Sequence, residues 1–489
     1  MLTHRLAVAN FMPFRVSHLF LNTAPLWILS FQGIAFAQAS PGTGTADSMP
    51  TSIQPATSDT TVVRQSNQLN IVGGQSTGGA DANVIHQFER FNLNADDTAN
   101  FVIDSDVANV ISLINDSQPS TINGLLKLIG NEPNLESNAN LFLVNPAGVI
   151  FGADVRLNIP ANLTATTASG LLFQDRYLLA VDGAVSEIAL PNRSGASSSA
   201  TPSITDLDGT PSGYLMLTES ASSSDPFSAT LPTGSIQNQG ELEVSPRSSI
   251  TLIGQYVQND GDIVAPGGAV TLTASSGNNL LRLSPPGSLI TLDVVPADTL
   301  ALVSPLSDNS AIAALPNTDL AQLLTGGNNQ GANRIEVNAD GSQTLTSEPS
   351  PLTPKAGTVL ARGSIDVSDN TPVGASGSPG QVTILGDQIN LIESHISADG
   401  ISHAGTISIG GMPIEDSFNA AYVLVDRNSN VSANSAESRA GIISIWADDT
   451  VQFYGEATAT GGSSDLDGII SIDAGVDVDI RQPAGNTTR

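Results

Sequence analysis

The sequence predicts an all-β protein built as a β-solenoid, with loop excursions and one short helical insertion. Three observations carry that prediction. The 489 residues are only 13% charged and 4% aromatic but include 45 Gly and 28 Pro, the composition of a many-turned β chain. Gly240-Glu241-Leu242-Glu243-Val244 followed by Ser249-Ile250-Thr251-Leu252 returns 20 to 21 residues later as Gly261-Asp262-Ile263-Val264-Ala265 followed by Ala269-Val270-Thr271-Leu272. A pattern Gly-x-(Val/Ile)-(Thr/Ser)-Ile then begins at Gly380, Gly405, Gly441 and Gly468, with spacings of 25, 36 and 27 residues. A strand that shows one apolar face and recurs with corner residues between copies can bury that face only by stacking on its neighbours.

Charge and targeting bound the function. The formal net charge is −30, from 17 basic and 47 acidic residues, so a phosphate backbone repels the chain and nucleic acid is excluded as a partner. The acids are scattered rather than blocked and describe a solvated surface. Cysteine is absent, which excludes disulfides, thiolate metal sites and a cysteine nucleophile. Arg5 and Arg15 precede the apolar run Leu19–Phe36, which Asn22, Thr23 and Pro25 interrupt, and Ala35-Phe36-Ala37 supplies an A-x-A site with cleavage before Gln38. Residues 1–37 therefore read as a signal peptide, and its interrupted core is too short for an anchor. Cleavage removes two positive charges and takes −30 to −32. No other apolar run reaches spanning length, so an exported chain without stable membrane insertion is expected. Residues 38–60, rich in Ser, Thr, Pro and Gly, read as a disordered leader.

From Thr61 the chain reads as strands. Gln68–Gly73 is a short strand, Asn83–Asn94 forms bent, partly buried strands, and Thr98–Ile103 alternates. Val107–Ile114 is apolar enough for strand or helix. Ser120–Ile129 leads to the stretch around which the chain is organised, Asn138–Gly152. There two apolar runs, Leu141–Val144 and Val149–Phe151, flank Asn145-Pro146-Ala147-Gly148. Pro146 fixes φ at the first corner and Gly148 can take the positive φ that other residues avoid, so two buried strands meet in a tight turn. Leu157–Thr167 carries a further pair of strands.

Four blocks in order, His86-Gln87-Phe88-Glu89-Arg90-Phe91-Asn92-Leu93-Asn94, Ile122-Asn123-Gly124-Leu125-Leu126, Asn140-Leu141-Phe142-Leu143-Val144-Asn145-Pro146-Ala147-Gly148-Val149-Ile150-Phe151-Gly152 and Ala165-Thr166-Thr167-Ala168, resemble the filamentous-haemagglutinin N-terminal domain, the secretion domain of two-partner (type Vb) exoproteins. The version found in large cyanobacterial surface proteins is the most similar, and the resemblance covers residues 61–172. It implies a right-handed parallel β-helix with capping elements. It also implies recognition in the periplasm by the soluble domains of an outer-membrane barrel. The family motif Asn-Pro-Asn-Gly-Ile is met by Asn145-Pro146-Ala147-Gly148-Val149, with Ala and Val as departures, and Ile150 follows. Glu132-Pro133-Asn134-Leu135 matches three of four residues of a second motif, Asn-Pro-Asn-Leu, but lies only about ten residues upstream and reads as a loop coincidence. Asn145 and Pro146 either only shape the turn or also touch a partner; both readings stand. His86, beside Phe88, reads as a packed, hydrogen-bonded residue rather than a ligand.

Residues 173–232 read as an irregular continuation with strands at Tyr177–Ile188 and Tyr214–Leu217 and a loop at Asn192–Pro211. Asp206-Leu207-Asp208-Gly209 begins like a calcium loop, but Leu217 stands where the closing acid belongs, and Asp465-Leu466-Asp467-Gly468 fails the same test. Residues 233–489 form the repeat region, interrupted by an insertion around 280–345. In it, Asn317–Leu324, after Pro316 and before Gly326-Gly327, reads as a short helix. The chain stops at Arg489 with no amphipathic cap, as expected of a shortened member of a longer kind.

No catalytic constellation assembles. Of five His, His4 and His18 leave with the signal peptide, and His86, His395 and His403 have no nucleophile motif near them. No cofactor or metal is expected. A β-helix polysaccharide lyase or hydrolase is the enzymatic rival and would need paired carboxylates on a solenoid face. Asp448-Asp449, Glu415-Asp416 and Asp465 with Asp467 are the candidates, and they read as solvated loop acids. The expected protein is non-enzymatic and secreted through the periplasm to the surface of a Gram-negative-type bacterium, where its β-helical stalk acts in adhesion. Its partners are the outer-membrane barrel and an unknown cell-surface or carbohydrate receptor. A structural surface-layer rod is the other non-enzymatic alternative.

Overall fold

A computed structural model describes residues 50–78, 82–131, 137–174, 176–180, 183–189, 203–217, 234–283, 292–296, 301–303, 334–337, 343–346, 355–371, 377–413 and 418–481. Ser48–Arg489 cluster as one compact unit. The signal-cleavage residues Ala35, Ala37 and Gln38, the weak motif Glu132-Pro133-Asn134-Leu135, the helix expected at Asn317–Leu324 and the acids Glu415 and Asp416 lie outside the described residues. No described helix is long and apolar enough to cross a membrane.

The unit is a β-helix with three faces. One coil shows how the sequence builds it: Asn140–Val144 lies on the first face, Gly148–Phe151 on the second and Arg156–Asn158 on the third. The chain then returns to the first face at Leu163–Thr166, where Leu163 stands beside Leu141 in a parallel pair. Among the described residues the first face is a twelve-stranded sheet and the second a nine-stranded one. The third is a five-stranded sheet in the N-terminal coils and a six-stranded one in the later coils. Val107–Ile114, open between strand and helix in sequence, is a strand. Parallel strands joined by such crossovers take the right-handed sense because of the twist of L-residue strands.

The core is a set of columns. On the first face Val84, Val110, Leu141, Leu163, Ile250, Val270, Val382, Ile407, Ile443 and Ile470 stand in register. The neighbouring inward column runs His86, Ser112, Leu143, Ala165, Leu252, Leu272, Ile384, Ile409, Ile445 and Ile472. Each large aliphatic side chain buried here contributes about 1.5–3 kcal/mol, and only the neighbouring coils provide that burial. The repeats read in sequence are these coils: the spacings of 25, 36 and 27 residues are the register offsets from Gln381 to Thr406, Ile442 and Ile469. The glycine opening each copy is set by close approach. A Cβ on Gly405 would lie 2.0 Å from the carbonyl oxygen of Gly380, and one on Gly441 would lie 1.9 Å from that of Gly405.

Two features depart from the sequence reading. Ser52–Pro55, placed in the disordered leader by its composition, pairs antiparallel with Phe88–Asn92 at the edge of the first face. Backbone pairing with a finished strand needs little apolar surface, and Ile53 is the one aliphatic side chain this strand buries. With Thr60–Gln65, antiparallel to Gln68–Gly73 at the edge of the third face, it closes the first coil. The segment read as irregular supplies much of a seven-stranded sheet outside the helix, joining Gly170–Phe173, Arg176–Leu179, Val185–Ala189 and Gly213–Met216 to Asn279–Leu283, Leu292–Pro296 and Ala301–Val303. Its Leu171, Phe173, Tyr214 and Met216 pack on Ile85, Ile111, Phe142 and Val144, which point outward from the first face.

Candidate functional site

The Asn145–Ile150 corner joins the first face to the second. The Gly148 N–H donates to the Asn145 carbonyl at 2.9 Å, closing the turn, and the Ala147 N–H donates to Asn145 Oδ1 at 2.9 Å. The Asn145 side chain then works across coils: Nδ2 donates to Ser120 Oγ at 3.0 Å and to the Gln118 carbonyl at 3.3 Å, both in the preceding coil. Its backbone N–H donates to the Thr166 carbonyl of the following coil at 3.0 Å. Asn145 is completely buried, as is Val149, whereas Pro146, Ala147 and Ile150 are half-buried. Gly148 has φ +133°, and a Cβ there would stand 2.8 Å from the Ser235 carbonyl oxygen. The motif therefore fastens three consecutive coils.

A second device along the same coils was not read from sequence. Asn109 Nδ2 donates to Asn83 Oδ1 at 2.7 Å, Asn140 Nδ2 donates to Asn109 Oδ1 at 2.8 Å, and Asn140 Oδ1 accepts the Asn162 N–H at 3.2 Å. The ladder ends on Asn162 Oδ1, which accepts the Ser249 N–H at 2.7 Å. At its other end Asn83 Nδ2 donates to the carbonyls of Leu207 and Gly209, which docks the segment once compared with a calcium loop. Asp206 in that segment holds Arg176 at 2.6 Å and accepts the Ser203 N–H at 2.9 Å. The hydrogen bond from the Ser203 N–H, with help from the nearby Arg176, holds its carboxyl below the usual range against an opposing desolvation cost.

His86 is fully buried at the head of the inward column. Nδ1 lies 3.1 Å from Thr60 Oγ1, and the ring lies 5.7 Å from Phe101 and 6.1 Å from Phe88. Burial pushes its pKa down from 6.5 to about 4, so at neutral pH it is uncharged. Of the carboxylates considered for catalysis, Asp448 accepts from Trp446 Nε1 at 3.1 Å and from Asn419 Nδ2 at 2.9 Å, and Asp467 accepts the Gly461 N–H at 2.9 Å. Among the described residues no group of three or more His, Cys, Asp or Glu is placed to hold a metal ion.

The family described as the TPS secretion domain matches residues 46–318. Among solved structures, the chain is similar to the HMW1 secretion domain from Haemophilus influenzae, at 16% identity and a TM-score of 0.39, covering 88% of this chain and 98% of that one. It is also similar to a filamentous hemagglutinin secretion domain, at 11% identity and a TM-score of 0.32, covering 88% of this chain and 99% of that one. No curated protein matches. With more than half of its length matched, the chain belongs to the TPS secretion domain family, the non-catalytic domain by which a two-partner exoprotein is recognised by its outer-membrane transporter and secreted from a Gram-negative bacterium.

Proposed function

We propose that the transporter reads the Asn145–Ile150 stretch in the unfolded chain, and that the same residues fasten the first coils once the chain is outside. The complete burial of Asn145 carries this reading. Its amide is spent on Ser120 and Gln118, so a partner that depends on that side chain must meet it before the coil closes. The secretion domain, matched over residues 46–318, carries the address, and the coils beyond it act afterwards in surface attachment. Stacking of successive coils opposes return of the chain through its transporter.

The test is the extracellular yield of Asn145→Asp and Pro146→Ala in cells producing the chain with its transporter. Both are expected to lower it. Unchanged yield for both removes the corner from recognition. For attachment, the purified exoprotein is expected to bind cells or polysaccharide without turnover; release of unsaturated sugar ends, seen by ultraviolet absorbance, would instead support the lyase.

A further inference from the structure

We propose that the head of the inward column is a built-in brake on folding, which keeps the exoprotein open long enough to be exported. The inference rests on the export reading above.

The observation is one of register. From Leu143 to Ile472 every position of that column on the first face is Leu, Ile or Ala, and the first two positions are His86 and Ser112. Both are completely buried and lie among aliphatic and aromatic neighbours. His86 Nε2 and Ser112 Oγ find no hydrogen-bond partner among the described residues. An apolar residue at either position would fill the same space without stripping water from a polar group, so this pair lowers the stability of the first coils, where the stack starts in this proposal.

The single partner His86 has is instructive. Thr60 lies on the strand Thr60–Gln65, which closes the first coil and belongs to the third face. A first coil that forms before this strand docks holds an imidazole with neither ring nitrogen bonded. The coils are thus favourable only when the capping strand, the third face and the first face come together, a requirement that slows nucleation. In this column the later coils carry Leu, Ile or Ala and add to the first ones without that cost. Buried polar groups without a partner occur in later coils too, at Thr273, Thr358 and Asn390, but in this inward column they stand only at its first two positions, the placement that makes a stack slow to start. A local rule broken only at the head of a column that obeys it from Leu143 onward marks a position where function opposes stability.

Ser112→Ala, His86→Leu and the double variant of the full exported chain separate the possibilities. Refolding on dilution from urea, followed by far-ultraviolet circular dichroism, is expected to be at least about threefold faster for Ser112→Ala. In cells producing the native transporter, extracellular yield is expected to fall while folded, protease-resistant chain accumulates in the periplasm. Ser112→Ala removes only an oxygen, so it remains informative where His86→Leu fails to fold. Unchanged or slower refolding of Ser112→Ala, or faster refolding with undiminished export, overturns the brake and leaves the export reading intact. A wild-type chain that never leaves the cell overturns both.

Discussion

Asn145 of one coil donates its side-chain amide to the Ser120 hydroxyl of the coil before it, at 3.0 Å and out of contact with water. That bond ties the corner of one coil to the start of the second-face strand Ser120–Ile122 in the one below. A turn motif and a stacking contact are therefore the same residue. Asn145→Asp keeps the size and the Oδ1 contact with the Ala147 N–H but replaces a donor with a buried acceptor facing the Gln118 carbonyl. The expected loss of stability is about 3–5 kcal/mol, and Asn145→Ala should cost about 1–3 kcal/mol. Urea unfolding of the purified chain measures both; equal midpoints for wild type and Asn145→Asp would show that the inter-coil bond carries no weight.

The glycine column makes a sharper prediction. Gly405→Ala places a methyl group 2.0 Å from the Gly380 carbonyl oxygen, a contact that only a shift of backbone can relieve. Gly78, with φ +75°, has open space around its absent Cβ. Gly405→Ala is expected to cost about 3 kcal/mol or more, and Gly78→Ala about 1–2 kcal/mol from backbone conformation alone. Thermal unfolding of the two variants side by side checks the order, which reverses if coils slide apart freely.

Acid should loosen the first coils through His86. Its pKa falls from 6.5 unfolded to about 4 folded, so between those values the unfolded chain binds the extra proton. Stability from this group is complete above pH 6.5 and is lost as pH falls toward 4, in total about 3 kcal/mol. Carboxylates titrate over part of the same range, so the quantity to measure is the difference between wild type and His86→Phe. Subtracting their urea-unfolding free energies at pH 7, 6, 5 and 4.5 should leave a slope that disappears above pH 7. A flat difference would mean that the imidazole is not buried uncharged.

Much of the architecture was legible in the sequence because one coil repeats the constraints of the last. Gly380, Gly405, Gly441 and Gly468 recur because backbone meets backbone at that corner, and their uneven spacing did not hide them because the local pattern after each is the same. Asn145-Pro146-Ala147-Gly148 was legible as a turn for the same local reason. What was hidden depends on residues far apart in sequence. The amide ladder joins Asn83, Asn109, Asn140 and Asn162, whose spacings of 26, 31 and 22 residues look irregular until register is known. The outer sheet pairs Glu187 with Val303, and no short-range pattern announces such a partner. Ser52–Pro55 went unread because its neighbour's backbone, more than its own side chains, makes it a strand.

The antiparallel strands at the first coil have a further consequence. Ser52–Pro55 and Thr60–Gln65 cover the bottom of two faces with backbone that runs the wrong way for another coil to add, whereas Ile469–Ala474 and Asp477–Ile480 at the far end present parallel edges. At that far end Ile469, Val476 and Ile480 are 59%, 76% and 49% exposed. Among the described residues, two faces of the stack are therefore closed to parallel addition at the N-terminal end, while the C-terminal end has a tip of parallel strands. A polypeptide emerging from a pore with its N-terminal part leading would wind onto such a tip in the order in which it arrives.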